Sequence, residues 1–222
     1  MKIVNVDGGI GRCIAFTGAL REPVDVITTY PGLFFNHPLV RRVYPPSTPY
    51  LYDRIKEADY LHPEPYNLPA YYRDEKHLVS CFSLILNGDD QFAYPEIHLT
   101  ENEKAVARSK VSKKTALFQP FGSQVGGARA LSLAYAQRIV DRLTADGFEV
   151  VLVENKPCGL KGVKYVNATP REIIAMVPFV GKLVGIDSFL QHAAAALKVP
   201  MTVFWASTLP EQLGYDIHTN IP

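Results

Sequence analysis

The stretch 185-GIDSFLQHAAAALKVPMTVFW-205 contains the clearest structural signal in the chain. Its apolar spacing predicts a strand, a tight turn, an alanine-rich helix that packs closely on a sheet, and a second strand. The turn places Asp187 and Ser188 at the start of the helix as caps, with His192 one turn further on. Ligands of open α/β sheets bind at the carboxyl ends of the strands, so these residues are candidate ligand contacts. A capping aspartate and a core histidine are an equally good interpretation.

The sequence on either side of this helix alternates strands and helices. In the second half we predict strands over 116–119, 149–153, 182–186 and 201–205, and helices over 131–143, 170–177 and 188–197. The beginning of the chain repeats the order, with a strand over 2–6, a glycine turn, a helix over 14–20 and a strand over 24–29. Such βα units build parallel sheets, so the sequence predicts an α/β protein with two Rossmann-like domains.

We place the domain boundary where the polar segment 109–115 interrupts this pattern, which gives domains of residues 1–112 and 113–222. Residues 101–110 before it read as a polar helix with acidic residues early and basic residues late, an order that suits the helix dipole. This helix is either a solvated connector or a basic docking surface. Residues 44–72 are rich in Pro and Tyr and predict loops with short elements.

Composition excludes several classes of protein. The 222 residues are 47% hydrophobic and 20% charged, which excludes a wholly disordered chain. The chain has no window of about 18 consecutive apolar residues, so we expect no transmembrane segment. The first residues do not resemble a secretory signal, and we expect a cytoplasmic protein. The 23 basic and 22 acidic residues argue mildly against a dedicated nucleic-acid binder. The three widely spaced cysteines predict reduced thiols.

A glycine-rich turn, GGIGRCIA at 8–15, follows the first predicted strand. Such a turn exposes backbone N–H groups at the positive end of a helix and favours an anion, which makes Gly9 and Gly11 candidate binding residues. It departs from the dinucleotide fingerprint, because Ile14 occupies the third glycine position and no acid follows the second strand. An NAD-dependent oxidoreductase is therefore the less favoured alternative, and the absence of a P-loop motif excludes a P-loop ATPase.

A second loop, FQPFGSQVGGAR at 118–129, lies between a predicted strand and a predicted helix. Arg129 at the helix start would pair with a phosphate group. Gly122 and Ser123 belong to the same loop and are candidate contacts. A plain connection with a surface arginine explains the loop equally well.

The pattern G-I-D-S-x-x-x-H-x-A-A-A-L-x-V-P at 185–200 resembles the donor-site signature of ADP-heptose:lipopolysaccharide heptosyltransferases, glycosyltransferase family 9. Thr208 to Pro210 stand where the family has Thr-Asp-Pro. Residues 8–21 resemble its Gly-Ile-Gly-Asp turn and first helix. The loop at 120–129 stands at the family's His-Pro-Gly segment.

The resemblance implies the GT-B fold, an α/β architecture of two Rossmann-like domains that face each other across a cleft. It implies a glycosyltransferase that moves a hexosyl, pentosyl or heptosyl group from a nucleotide-diphosphate sugar, held by the second domain, to an acceptor hydroxyl, held by the first. It also implies no metal and no cofactor beyond this cosubstrate. The sequence agrees with a metal-independent class, because it contains no Asp-x-Asp.

Site residues are carried over from the resemblance and from the two turns. The helix that begins at Ser188 would stabilise the leaving diphosphate. The predicted donor-binding residues are Gly9, Gly11, Gly122, Ser123, Arg129, Asp187, Ser188, Gln191 and Thr208.

The catalytic residues are predicted to be Asp7, Arg12 and His192. Arg12 stands where the family has an aspartate that resembles a general base, and arginine cannot accept a proton at ordinary pH. Asp7 is the nearest carboxylate and the candidate replacement. Arg12 would instead neutralise a leaving or acceptor phosphate. Phe189 replaces a small residue, which would narrow the sugar pocket.

Two acceptors remain open. The compact chain is similar to phage-encoded sugar transferases, some of which modify hydroxymethylated pyrimidines in DNA, and such an enzyme would work in the host cytoplasm. Tyr71 and Tyr72 would then stack on a flipped base. A saccharide of the lipopolysaccharide type is the other acceptor, and a non-catalytic nucleotide-sugar-binding protein is the alternative to an enzyme. Basic residues that would follow a DNA backbone are Arg12, Arg41, Arg42, Lys104, Arg108, Lys110, Lys113 and Lys114.

Overall fold

The computed structural model describes residues 1–122, 128–154 and 157–222. Its contacts divide the chain into two compact units, Met1–Leu99 and Thr100–Pro222. Each unit has a parallel sheet connected by helices, which confirms the predicted α/β class with Rossmann-like units. Within the described ranges, no helix is long and apolar enough to cross a membrane.

The first unit has a four-stranded sheet. Its strands are β1 (Lys2–Asn5), β2 (Val24–Ile27), β3 (Val40–Tyr44) and β4 (Asp59–Leu61). Its α-helices are α1 (Ile10–Thr17), α2 (Leu51–Lys56), α3 (Pro69–Tyr72) and α4 (Leu78–Asn87). The strand order is β3-β2-β1-β4 with every pair parallel, so the order reverses between β1 and β4.

The glycine turn connects β1 directly to α1. Gly8 has φ +89°, a left-handed conformation that glycine adopts without the steric cost of a Cβ, and Gly9 is the N-cap residue. The helix spans Ile10–Thr17, whereas the sequence predicted a helix over 14–20. The predicted start lies after Gly11, because glycine is a poor helix former. Phe16 on α1 packs edge-on against Phe34 and Phe82, which fixes the helix within the apolar core of this unit.

The second unit has six described strands in one sheet. They are β5 (Thr115–Gln119), β6 (Glu149–Leu152), β7 (Val163–Tyr165), β8 (Lys182–Ile186), β9 (Thr202–Phe204) and β10 (Thr219–Ile221). The described α-helices are α5 (Glu101–Lys110), α6 (Leu133–Ala145), α7 (Pro170–Met176), α8 (Phe189–Ala196) and α9 (Pro210–Leu213). The order β7-β6-β5-β8-β9-β10 is that of dinucleotide-binding sheets, and it reverses between β5 and β8.

The two central strands of this sheet, β5 and β8, approach each other closely at Gly185. All five residues of β5 are buried, including Ala116 and Phe118 of the core that α6 covers. Gly185 on β8 lies against β5 so closely that a Cβ there would stand 2.8 Å from the carbonyl oxygen of Gln119. The sequence therefore needs glycine at this point, and the ends of β5 and β8 are brought side by side.

Helix α5 packs on α7 in the second unit, whereas the sequence-based boundary after residue 112 assigned it to the first. The physical reason is a bidentate ion pair, in which Arg171 donates to Glu103 at 2.7 and 3.1 Å. Thr100 and Glu103 also form a capping box that starts α5 at the unit's first residue. The same motif, formed by Thr169 and Glu172, starts α7 as predicted.

Several short elements were not predicted. Residues 44–72 contain α2, β4 and α3, in agreement with loops and short elements. The sequence prediction has no counterpart for β3, α4, β7, α9 and β10. The cysteines agree with it. All three are free, and burial raises the pKa of Cys13 and Cys81 to about 11, which leaves these thiols protonated.

Because of the Glu103–Arg171 pair, we expect the stability of the second unit to fall in acid. The hydrogen bonds from Arg171 lower the pKa of Glu103 from its usual 4.5 to about 2. A lowered folded-state pKa adds stability that is present above about pH 4.5 and is lost as the pH falls toward 2. Glu103→Gln keeps the capping box but loses the charge. We expect it to lower the free energy of unfolding at pH 7 by about 1–3 kcal/mol.

The measurement is urea unfolding followed by the fluorescence of Trp205, the only tryptophan, which lies in the second unit. The difference between wild type and Glu103→Gln should shrink between pH 4.5 and 2. Glu101→Gln is the matched control, because Glu101 is an exposed residue of the same turn paired with Lys104, and it should change little. A difference that persists at pH 2 would contradict the ion-pair account.

Candidate functional site

The carboxyl ends of β5 and β8 form the candidate donor site of the second unit. The strand order reverses at this point, so the chain departs in opposite directions after the two strands, which is where open α/β sheets have their ligand crevice. One loop begins after Gln119, and the other contains Asp187 and Ser188 and leads into α8. The side-chain oxygen of Gln119 accepts a long hydrogen bond from the backbone N–H of Leu190, which ties the two loops together at 3.4 Å.

A buried carboxylate organises this crevice. The Asp187 side chain is 2% exposed, and three side chains donate to it. Arg129 donates to Oδ2 at 2.9 Å, Thr208 donates to the same oxygen at 2.8 Å, and Gln191 donates to Oδ1 at 3.1 Å. These partners come from three separate segments of the chain. Asp187 therefore holds the loop before α6, the segment before α9 and the first turn of α8 in one arrangement.

Donor groups remain available around that carboxylate. Of the three guanidinium nitrogens of Arg129, only Nη1 has a hydrogen-bond partner among the described residues. The Arg129 side chain is 23% exposed. Ser188 is the N-cap of α8, yet its side chain makes no capping hydrogen bond in the described part of the chain. The first-turn N–H groups of α8 carry the positive end of the helix dipole. Guanidinium, hydroxyl and backbone N–H groups together form a suitable site for a diphosphate.

Behind α8 lies a buried polar network. The Nδ1 atom of His192 is 2.8 Å from the Tyr215 hydroxyl, and Nε2 of His218 donates to the carbonyl oxygen of Gln191 at 2.9 Å. Burial lowers the pKa of His218, which favours the neutral imidazole. His192 is itself buried, so its contacts suit a residue that positions α8. Its predicted catalytic role stays a prediction.

The structure brings most of the predicted donor residues together. Asp187, Ser188, Thr208 and Arg129 meet at one sheet edge, while Gln191 is fully buried and acts through Asp187 and the carbonyl oxygen of Leu213. Gly122 lies in the loop after β5, and a Cβ there would meet Ile186 at 3.6 Å. Ser123 lies outside the described residues. Gly9 and Gly11 belong to the first unit.

The first unit carries a second candidate site, where β1 and β4 end side by side. Asp7 follows β1, and Oδ1 of Asp7 lies 3.3 Å from Nε2 of His62, which follows β4. The same imidazole nitrogen lies 3.3 Å from Oε1 of Glu64. Sequence reasoning named Asp7 but missed His62 and Glu64, because a segment rich in Pro and Tyr carries no periodicity that reveals the end of β4.

Arg12, predicted to be catalytic, serves as a support for this second group. Its side chain is only 10% exposed, and Nη2 donates to the carbonyl oxygen of Pro63 at 2.6 Å. It also lies 3.3 Å from Glu64 and stacks over the Tyr66 ring at 5.5 Å. The guanidinium therefore binds the segment after β4 to α1. A role for Arg12 toward a phosphate stays a prediction.

Two groups of carboxylate and imidazole side chains lie close together in the described part of the first unit, and neither suits a metal ion. The first group is Asp7, His62 and Glu64. The guanidinium of Arg12 lies 3.3 Å from Glu64, and its positive charge would repel a metal cation bound there. In His37, Glu96 and His98, Nδ1 of His37 accepts the Leu39 N–H, so the neutral imidazole carries its proton on Nε2 and offers no lone pair there.

Comparisons with known proteins were made at the level of sequence and of structure. No protein-family model matches the chain, and no curated protein has a significantly similar sequence. Solved structures do match. A glycosyltransferase of family 9 from Veillonella parvula has a TM-score of 0.72 at 14% identity, over 99% of this chain and 85% of that one.

Two E. coli enzymes match similarly. ADP-heptose lipopolysaccharide heptosyltransferase II has a TM-score of 0.73 at 14% identity, over 100% of this chain and 90% of its own. Heptosyltransferase WaaC, determined with ADP, has a TM-score of 0.67 at 12% identity, over 100% and 93%. The chain has the fold of these glycosyltransferases. That likeness agrees with the fold that the motif at 185–200 predicted.

The Asp187 network predicts a large structural penalty on truncation. Asp187→Ala removes a buried charge and leaves the donors of Arg129, Gln191 and Thr208 without their acceptor. We expect a loss of about 3–5 kcal/mol in the free energy of unfolding, whereas Thr208→Val removes one hydrogen bond and should cost about 1–2 kcal/mol. Urea unfolding followed by Trp205 fluorescence reports both values. A stable Asp187→Ala variant would show that Asp187 does not hold the crevice together.

Proposed function

We propose that the protein is a glycosyltransferase that moves a sugar from a nucleotide-diphosphate sugar to an acceptor hydroxyl. The observation that carries the proposal is the crevice at the ends of β5 and β8, where Arg129, Ser188 and the first turn of α8 present donors around the buried Asp187. The fold shared with family 9 glycosyltransferases supports it.

The chemistry of the reaction explains why these donors suit it. When the anomeric carbon of the sugar separates from the phosphate oxygen, negative charge develops on the departing diphosphate. Fixed N–H groups and a guanidinium that already point at this position stabilise the charge without reorganisation. Arg129 is held by Asp187 before substrate arrives, which makes the site preorganised. These groups do the work that a divalent cation does elsewhere, so we propose metal-independent transfer.

For the acceptor we favour a saccharide, because the neighbours include an ADP-heptose lipopolysaccharide heptosyltransferase. The sugar donor that we propose to test first is ADP-heptose, for the same reason. A hydroxymethylated pyrimidine base in DNA is the other acceptor to include in the assay. Its support is the set of basic and tyrosine residues in the sequence, and the nearly balanced charge of the chain weakens it.

A second candidate function is binding of a nucleotide sugar without turnover. Arg12 replaces the family's aspartate and is occupied by Pro63 and Glu64, so it supplies no base. Release of ADP from ADP-heptose in the presence of an acceptor distinguishes the two functions. Turnover supports the transferase, and stabilisation by ADP-heptose with no release of ADP supports the binding protein.

Thermal unfolding tests the donor site directly. A ligand at 100 times its dissociation constant adds about 2.7 kcal/mol to the stability, which raises Tm by several degrees. We expect ADP and ADP-heptose to produce this shift and NAD to produce none. Arg129→Met should lose at least tenfold in ADP affinity. Arg138→Met is the matched control, because Arg138 is an exposed arginine on α6 of the same unit.

Two results would contradict the assignment of the donor site. Stabilisation by NAD alone would favour the oxidoreductase, and equal ADP affinity in Arg129→Met and Arg138→Met would show that the crevice does not bind the diphosphate. Activity that disappears with a chelator and returns with a divalent cation would contradict metal-independent transfer.

A further inference from the structure

We infer that His62 is the general base of the first unit, with Asp7 and Glu64 as positioning residues that hold its imidazole. This inference rests on the proposed glycosyl transfer and deepens it, because the reaction needs a group that takes the proton from the acceptor hydroxyl. The sequence offered Asp7 for that task. The structure places His62 in the same group with a geometry better suited to the proton transfer.

The position of His62 follows from the sheet. The order β3-β2-β1-β4 reverses between β1 and β4, and the crevice beyond such a reversal is where open α/β sheets bind ligands. Asp7 and His62 are the second residue after β1 and the first after β4. Gly8 and Gly9 follow Asp7, and a Cβ on Gly9 would meet no atom within 4 Å, so the turn is open at Gly9. The group is therefore placed where a small molecule reaches it.

His62 has both of its carboxylate neighbours on one side of the imidazole ring. Asp7 Oδ1 and Glu64 Oε1 each lie 3.3 Å from Nε2, at ion-pair distance. Two negative charges beside Nε2 favour the proton on that nitrogen, which leaves the lone pair on Nδ1. Among the described residues Nδ1 has no hydrogen-bond partner, and the side chain is 38% exposed. In hydrolytic triads a carboxylate likewise orients the imidazole, but there it faces Nδ1 and Nε2 is the base, so the two nitrogens have exchanged roles here.

Arg12 gives an independent reason to regard this group as a built site. Its side chain is nine-tenths buried, and its Nη2 contacts both the Pro63 carbonyl oxygen and the Glu64 carboxylate, the two residues that follow His62. Its Nε is buried without a partner among the described residues. A buried cation held against a partly exposed carboxylate restrains the backbone on which His62 sits. The aspartate expected at residue 12 is thus replaced by a residue that supports a different base.

The proposed step moves a proton and a glycosyl group together. The acceptor oxygen forms a bond to the anomeric carbon as its proton moves to Nδ1 of His62. The bond between the anomeric carbon and the diphosphate oxygen breaks, and its electron pair leaves with the nucleoside diphosphate. Asp7 and Glu64 stabilise the imidazolium through Nε2. The imidazolium then releases its proton to solvent.

The decisive comparison is between His62→Gln and His98→Gln. His98 is a matched control, because its side chain is also 38% exposed and lies 3.0 Å from a glutamate of the same unit. The assay measures ADP release from ADP-heptose with deacylated lipopolysaccharide oligosaccharide as acceptor. We expect His62→Gln to lower kcat by 10²- to 10⁴-fold with ADP affinity unchanged within twofold, and His98→Gln to retain kcat within twofold.

The positioning residues have a separate readout. Asp7→Asn should lower kcat by about tenfold and change its pH dependence, because the amide no longer fixes the proton on Nε2. The groups that face His62 are Asp7, Glu64 and the guanidinium of Arg12. The pH profile of kcat should differ between wild type and His62→Gln. An unchanged His62→Gln with an inactive Asp7→Asn would assign the base to Asp7 and overturn the inference.

A measurement without turnover completes the test. Long-range ¹⁵N–¹H correlation spectra of the full-length protein at neutral pH report which imidazole nitrogen of His62 carries the proton. Protonated Nε2 supports the inference, and protonated Nδ1 overturns it.

Other failures remain distinguishable. If wild type releases no ADP with the oligosaccharide or with hydroxymethylated DNA, the proposed function fails and the inference with it. If wild type is active and His62→Gln equals His98→Gln, only the inference fails. Loss of activity with a chelator and recovery with Mn²⁺, but not in His62→Gln, would make the group a cation site and overturn its role as base.

Discussion

The second unit depends on one buried carboxylate. Asp187 follows the central strand β8 and is nearly inaccessible to solvent, so its charge is stable only with good partners. Arg129, Thr208 and Gln191 supply them from three different segments. This carboxylate both closes the end of the sheet and fixes an arginine beside the first turn of α8. Structural stability and the proposed anion site therefore depend on the same interaction.

Both units use the same geometric device for different chemistry. In each sheet the strand order reverses once within the described strands, and polar residues follow the two strands at that point. The second unit places guanidinium, hydroxyl and N–H donors there, which suits an anionic leaving group. The first unit places a carboxylate–imidazole group there, which suits a proton acceptor. A glycosyltransferase needs both a site for the anionic leaving group and a proton acceptor. The inference about His62 therefore complements the proposed function.

Much of this could be predicted from the sequence. The strand–turn–helix at 182–196 has apolar spacing, a capping pair and small residues that agree with one another, and β8 and α8 were located to within a residue. The group of His62 and Glu64 could not be predicted, because their proximity to Asp7 arises from the parallel pairing of β1 with β4 across more than fifty residues. The burial of Gln191 could not be predicted either, since a helical spacing does not reveal which polar side chain faces the core, and a core His192 was one of two interpretations that the sequence left open.

A crystal structure with bound ADP would show where the protein holds a diphosphate. The account predicts the two phosphates at the carboxyl ends of β5 and β8, with N–H groups of the first turn of α8 and the guanidinium of Arg129 within about 3 Å of their oxygens. Asp187 would keep its contacts with Arg129 and Thr208. A diphosphate bound at any other place in the chain would contradict the account.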